Sequence, residues 1–141
     1  KESIVANLMQ GQTTKCQTKY LSANVTSNGV VAGLGYSGLK VGSIYKLYHN
    51  SRCVFTGSGV DNLGVNYQNG ISFIDRTVCS GTSAGQSVSS SIAHIFKATD
   101  TTLTATAESI GAGTYIFGDG SATKSTLCEE PDTTIFTTEF N

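Results

Sequence analysis

The sequence predicts an all-β protein, specifically an antiparallel two-sheet β-sandwich of the jelly-roll kind. Ser and Thr make up about a quarter of the 141 residues, which also include 16 glycines, one proline and no tryptophan. Side chains branched at Cβ favour a pleated surface over a helix, and residues that favour helices are scarce here. Short apolar runs separated by Gly, Asn and Asp turns predict about eight to ten strands, as in sandwich folds.

The length and mass, 141 residues and 14.7 kDa, predict a single domain. We expect this jelly-roll domain to span residues 15–141. Residues 1–14 differ from the rest, because Ile4, Val5 and Leu8 have helical spacing. They predict a short N-terminal helix or the end of a stalk. Because the sequence begins at Lys1 and not at Met, we also expect it to be a piece of a longer protein.

A β-hairpin is predicted over residues 20–36. Asn28-Gly29 is a strong signal for a two-residue turn, since both residues tolerate a positive φ. This turn would place Val25 opposite Ala32 and give every apolar residue an apolar partner.

Residues 65–78 predict a second hairpin. A three-residue loop, residues 68–70, pairs Tyr67 with Ile71 and places Gly70 in the left-handed region beside a bulge.

Two later segments complete the prediction of elements. Residues 81–91 are rich in Ser and Gly and predict a polar loop. In residues 103–107, Leu103, Ala105 and Ala107 alternate with threonines, which predicts a strand with one apolar face.

The charge content and the lengths of the apolar runs exclude two classes of partner, nucleic acids and the interior of a membrane. Charged residues are 13% of the chain and the net charge is −1, so there is no basic field to attract nucleic acid. No apolar run is long enough to insert into a membrane. A surface poor in charge suits a protein that is held in an assembly.

The four cysteines, Cys16, Cys53, Cys79 and Cys128, are too widely spaced for a metal finger. In an oxidising compartment they could form two disulfides in any of three pairings. The interpretation we favour is that they are small, buried, reduced side chains.

No catalytic, metal or cofactor site is predicted. Gly33, Gly35 and Gly38 match the spacing of a dinucleotide fingerprint, but a strand follows where that motif needs a helix. The two histidines are interpreted as structural: His94 as a residue of a sheet, and His49 as a solvated loop or strand-end residue. Amphipathic side chains could still form a ligand-binding surface, for which the candidates are Tyr48, His49, Arg52 and Tyr67.

Residues 36–47, which contain Leu39, Gly42 and Tyr45, resemble the "L-x-x-G-x-x-Y" strand of small β domains in bacteriophage virion proteins. Residues 91–98, 103–107 and 113–130 resemble the closing strands of the same domains. Those domains are similar to the trimeric jelly rolls of the C1q and tumour-necrosis-factor type. The resemblance spans about residues 20–132, and the cysteines are not part of it.

The resemblance implies a non-enzymatic virion protein: a homotrimeric β-knob on a head fibre, tail fibre or capsid surface. Its partners would be other virion proteins and a glycan or protein of the host surface. Tyr115 and Phe117 are the candidates for the trimer axis, although they could equally fill the core of one chain. Two alternatives remain: a monomeric, secreted carbohydrate-binding or adhesin module, and a small β-fold hydrolase.

Overall fold

A computed structural model describes residues 15–56, 61–81, 83–109, 115–118 and 120–131. The predicted N-terminal helix or stalk end over residues 1–14 lies outside the described residues, as does the part of the predicted jelly-roll domain beyond residue 131. No helix among the described residues is long and apolar enough to cross a membrane.

The described residues form ten strands and one short 3₁₀ turn at Ala32–Leu34. The strands are β1 Lys15–Leu21, β2 Gly29–Val30, β3 Ile44–Phe55, β4 Asp61–Asn69, β5 Ser72–Arg76, β6 Cys79–Gly81, β7 Ser87–Lys97, β8 Leu103–Ser109, β9 Tyr115–Phe117 and β10 Gly120–Glu129.

These strands build two antiparallel sheets that face each other. The first sheet has the order β1-β10-β3-β7, and β9 pairs with the end of β3. The second sheet has the order β2-β8-β4-β5, and β6 pairs with the start of β4. Chain order and sheet order differ because connections cross from one sheet to the other. The fold is an all-β jelly-roll sandwich, as predicted.

Period-two alternation produces the core. In β8, Leu103, Ala105 and Ala107 are buried and the threonines between them are not, which confirms the predicted apolar face. The twelve-residue strand β3 alternates in the same way, with Tyr45 and Phe55 at the two ends of its inward face. Successive side chains of a strand point to opposite faces, so one stripe from each strand fills the space between the sheets.

The predicted hairpin at Asn28-Gly29 is wrong. Gly29 and Val30 pair with β8, and the chain then enters the 3₁₀ turn, so Ala32 does not face Val25. The side-chain oxygen of Asn28 accepts hydrogen bonds from the backbone N–H of Ser109 at 3.0 Å and from the hydroxyl of Tyr115 at 2.6 Å. These long-range bonds to other strands replace the local turn.

The second hairpin exists, but its predicted three-residue loop is wrong. Asn69 pairs with Ser72, so the turn is Gly70-Ile71, and a bulge lies between Tyr67 and Gln68. Gly70 has the predicted positive φ of 60°. Asn69 stays in the strand because its buried side chain bonds the 99–102 turn, accepting from the N–H of Thr99 at 2.7 Å and donating to the carbonyl of Thr102 at 2.8 Å.

The predicted polar loop over residues 81–91 is half strand. Residues 87–91 begin β7, which pairs with β3 from Val54 back to Ile44. The serines join the sheet because the long strand β3 offers them backbone partners along its whole length.

The cysteines divide into two pairs. Cys16 and Cys128 lie directly opposite each other on β1 and β10 and form a disulfide, contrary to the interpretation of four reduced thiols. Cys53 and Cys79 are buried free thiols, as that interpretation expects.

Candidate functional site

The pleat of the strands separates the four predicted ligand-binding residues. Tyr48 and Arg52 lie on the outer face of the first sheet and are exposed. His49 and Tyr67 point between the sheets, with relative exposures of 1% and 0%. The four side chains therefore do not form one surface, and the prediction of a solvated His49 is wrong. The polar run around His49 continues the strand because its inward side chains find partners inside the sandwich.

Those inward side chains form a buried polar cluster, which consists of Tyr36, His49, Ser51, Tyr67 and Ser125. His49 is central: its Nδ1 lies 2.6 Å from the hydroxyl of Tyr67 on the opposite sheet, and its Nε2 bonds Ser51. The hydroxyl of Tyr36 lies 2.8 Å from that of Ser125 on β10. Each hydrogen bond compensates for a polar atom removed from water.

Burial keeps the buried polar cluster uncharged. It lowers the pKa of His49 to about 4, because an imidazolium inside the sandwich would lose its hydration. Burial also raises the pKa of Tyr67 well above its usual range. At neutral pH the cluster is thus a set of neutral hydrogen bonds that joins the two sheets. It offers no exposed nucleophile or base to a substrate.

His94 belongs to the sheet, as predicted. It lies on β7, about 40% of its side chain is exposed, and its Nδ1 is 3.2 Å from Oδ2 of Asp75. Because Asp75 is on β5, this contact joins the edge strands of the two sheets.

Among the described residues, no group of three or more His, Cys, Asp and Glu side chains could hold a metal ion.

Tyr115 and Phe117 lie in the core of a single chain. Their relative exposures are 4% and 1%, and their rings meet edge to face with centroids 5.4 Å apart. Their assignment to a trimer axis stays a prediction, and the exposed apolar side chains of the described chain lie elsewhere.

The margin of the sandwich formed by β5 and β7 carries exposed apolar side chains. We call it the β5–β7 margin and define it by Ile71 in the turn before β5, Phe73 on the outer face of β5 and Ile95 on the outer face of β7, whose relative exposures are 101%, 60% and 60%. Tyr48, 40% exposed, lies beside it on the outer face of β3. The sequence could not place Ile71 and Phe73 here, because the predicted loop turned both of them toward the core.

The main chain is also open at this margin. Among the described strands, β7 pairs with β3 on one side and has no ladder on the other, and β5 likewise ends the second sheet. A long edge strand presents unpaired N–H and C=O groups and is a template for another chain. Over its eleven residues β7 contains no acidic side chain, one lysine, Lys97, and one histidine, His94. Little charge therefore opposes such pairing.

Comparison with known proteins gives a fold and no family. No protein-family model matches the sequence, and no curated protein matches it. The solved structure of Eiger TNF from S. frugiperda is similar, with a TM-score of 0.51 at 9% identity, over 81% of this chain and 94% of that chain. The likeness shows a TNF-like jelly roll and the fold alone.

Two other solved structures are less similar. Dimeric latent PorU from Porphyromonas gingivalis gives a TM-score of 0.49 at 12% identity, over 84% of this chain and 13% of that chain. The CBM22-1–GH10 modules of xylanase 10B from Clostridium thermocellum give 0.39 at 18% identity, over 79% and 26%. The chain spans a small part of each of these proteins, and neither likeness bears on function.

Proposed function

We propose that this chain is a non-enzymatic β-knob that associates with two copies of itself through the β5–β7 margin. In this proposal the homotrimer sits on the surface of a bacteriophage virion, on a fibre or on the capsid. It works by presenting its outer loops to a host surface or to the particle. The observation that carries the proposal is the open, apolar β5–β7 margin.

Self-association is supported by the chemistry of that margin. Ile71, Phe73 and Ile95 would leave water on contact with a neighbour, and burial of apolar area is the main favourable term in association. Phe73 is exposed on the outer face of the second sheet and Ile95 on the outer face of the first, so a neighbour that covers the open edge would contact apolar side chains on both of its sides. A jelly roll of the TNF type is compatible with a homotrimer.

A non-enzymatic role is supported by the placement of the histidines. His49 is enclosed by hydrogen bonds between the sheets, and His94 is paired with Asp75 at an edge. A general base must come within hydrogen-bond reach of the proton that it removes. His49 cannot meet a substrate without the sandwich opening.

The oligomeric state tests the proposal directly. Light scattering coupled to gel filtration should give about three times the chain mass of 14.7 kDa at micromolar concentration. The double variant Phe73→Lys/Ile95→Lys should run as a single chain with an unchanged circular dichroism spectrum. The matched control is Val30→Lys, because Val30 is 69% exposed on β2 at the other end of the second sheet.

Two results would overturn the association. One is a lone 14.7 kDa species for the unaltered chain. The other is dissociation by Val30→Lys to the same extent as by the double variant.

The virion location has its own test: an antibody against the chain should label the surface of intact particles. Unlabelled particles would contradict the location but would leave the proposal of a trimer unaffected.

A carbohydrate-binding role is the second candidate, and one observation favours it. Tyr48 and Arg52 are exposed on the same face of β3, beside an open groove lined by Ser89 and Ser91. On a glycan array, binding abolished by Tyr48→Ala but kept by the double variant Phe73→Lys/Ile95→Lys would favour this function over the assembled knob.

A further inference from the structure

The free cysteines are neighbours across the sandwich. Cys53 lies on β3 of the first sheet and Cys79 on β6 of the second, and both have a relative exposure of 0%. Their sulfur atoms are 3.1 Å apart, about 1 Å more than the length of a disulfide bond. They are 26 residues apart in sequence, so only the fold brings them together.

The packing next to the pair holds β6 close to β3. Cys79 and Gly81 are successive inward residues of β6, and they meet Cys53 and Phe55, which are successive inward residues of β3. A Cβ on Gly81 would come within 2.3 Å of the Phe55 ring, so a glycine is required for this close approach. Because Gly81 packs directly on the Phe55 ring, β6 lies close to β3, and this closeness also brings the two sulfurs together.

We propose that Cys53 and Cys79 form a second disulfide, which joins the two sheets through the core. The first disulfide, between Cys16 and Cys128, joins neighbouring strands within one sheet. A bond between Cys53 and Cys79 would do something different, because it would tie the short strand β6 and the connection that follows it to the centre of the other sheet.

The oxidant would be a low-molecular-weight or protein disulfide, such as oxidised glutathione. One cysteine sulfur attacks the oxidant as a thiolate and releases one thiol, leaving a mixed disulfide on the chain. The second cysteine then displaces the other thiol and closes the bond. Two thiols on the chain lose two protons and two electrons, and the oxidant's disulfide becomes two thiols.

The surroundings of the two sulfurs differ in the folded chain. The hydrogen bond from the Cys53 thiol lowers the pKa of Cys79, and the hydroxyl of Ser90 lies 3.3 Å from the same sulfur. In the closed sandwich these contacts favour the thiolate of Cys79 over that of Cys53, but they are absent while β6 is detached, so either sulfur can attack the oxidant and the other then closes the bond. Because both are buried, the reaction takes place before the sandwich closes or while β6 is detached.

The test uses the full chain, refolded with reduced and oxidised glutathione. The intact mass should show the loss of four hydrogen atoms, and a non-reducing peptide map should contain a Cys53–Cys79 cross-linked pair. If those two residues remain open to alkylation after denaturation while Cys16 and Cys128 are linked, the proposal is overturned.

A variant isolates the inner bond. Cys16→Ser/Cys128→Ser retains only Cys53 and Cys79, and reductant should raise its unfolding equilibrium constant on the order of 100-fold, as removal of a loop-closing disulfide does. The matched control, Cys53→Ala/Cys79→Ala, should keep a reductant response that comes from the outer bond. If the first variant folds but does not respond to reductant, the inner bond is absent, and if it does not fold, the peptide map of the unaltered chain decides.

Discussion

The inward faces of the two sheets differ in chemistry, although both line the same core. The first sheet contributes buried polar side chains from its two central strands, namely His49, Ser51, Thr123 and Ser125. The middle of the second sheet is lined by aliphatic side chains, namely Leu63, Val65, Leu103, Ala105 and Ala107. One sheet thus has to satisfy polar groups away from water, and the other has mainly to fill space.

Tyr67 links the two inward faces by a hydrogen bond. It is fully buried on β4, in line with Leu63 and Val65, but its hydroxyl reaches across to His49 of the first sheet. The ring adds apolar area to the second sheet, and the oxygen serves the polar stripe of the first. A polar stripe is tolerated in this core because the opposite sheet supplies a matching hydroxyl.

The largest expected effect is a loss of folding stability in acid, which comes from the buried His49 of the first sheet. The folded-state pKa of His49 is about 4 because of burial, below the ordinary value of 6.5. Between these two values the unfolded chain binds more protons than the folded one, so stability is complete above about pH 6.5 and falls as the pH is lowered toward 4. The loss from this one group should approach about 3 kcal/mol. Urea denaturation at several pH values measures it.

A pair of variants separates His49 from the carboxylates that also titrate in acid. His49→Gln should remove most of the pH dependence between 6.5 and 4, whereas His94→Gln, at the exposed edge, should keep it. If the two variants have the same slope as the unaltered chain, the buried imidazole is not its source.

Removing the bridging hydroxyl should have the next largest effect. Tyr67→Phe keeps the ring but leaves Nδ1 of His49 buried without its partner, which should cost about 2 kcal/mol of unfolding free energy. Tyr48→Phe is the matched control, because Tyr48 is 40% exposed, and it should change stability by less than about 0.5 kcal/mol. Equal urea midpoints for the two variants would contradict a bridge between the sheets.

How much of this difference between the sheets can be predicted from the sequence depends on how far apart in the chain the interacting residues lie. The two-sheet class and the apolar face of β8 follow from alternation, which is local. The inward direction of His49 was also available in principle, since it shares its odd position with Tyr45, Leu47 and Phe55. The sequence-based prediction places His49 in solvent because the residues that follow it in the chain are polar.

The hairpin registers could not be obtained locally. Asn28 and Asn69 look like turn residues, but their side chains bind partners 30 or more positions away. No pattern in a short window contains those partners. The same holds for Cys53 and Cys79, whose closeness depends on how two sheets pack.

The smallest expected change in stability concerns a buried polar group to which the second sheet offers no hydrogen bond. Thr123 on β10 is fully buried, and its hydroxyl has no hydrogen-bond partner among the described residues. Thr123→Val keeps the shape and removes the unpaired oxygen, so it should stabilise the chain by about 1 kcal/mol. Ser125→Ala on the same strand is the contrasting control, because it removes the closer partner of the Tyr36 hydroxyl, at 2.8 Å, and leaves it only the carbonyl of Gln17 at 3.4 Å, so it should destabilise. A lower urea midpoint for Thr123→Val would mean that this oxygen is bonded after all, and that the polar stripe is satisfied along its whole length without help from the second sheet.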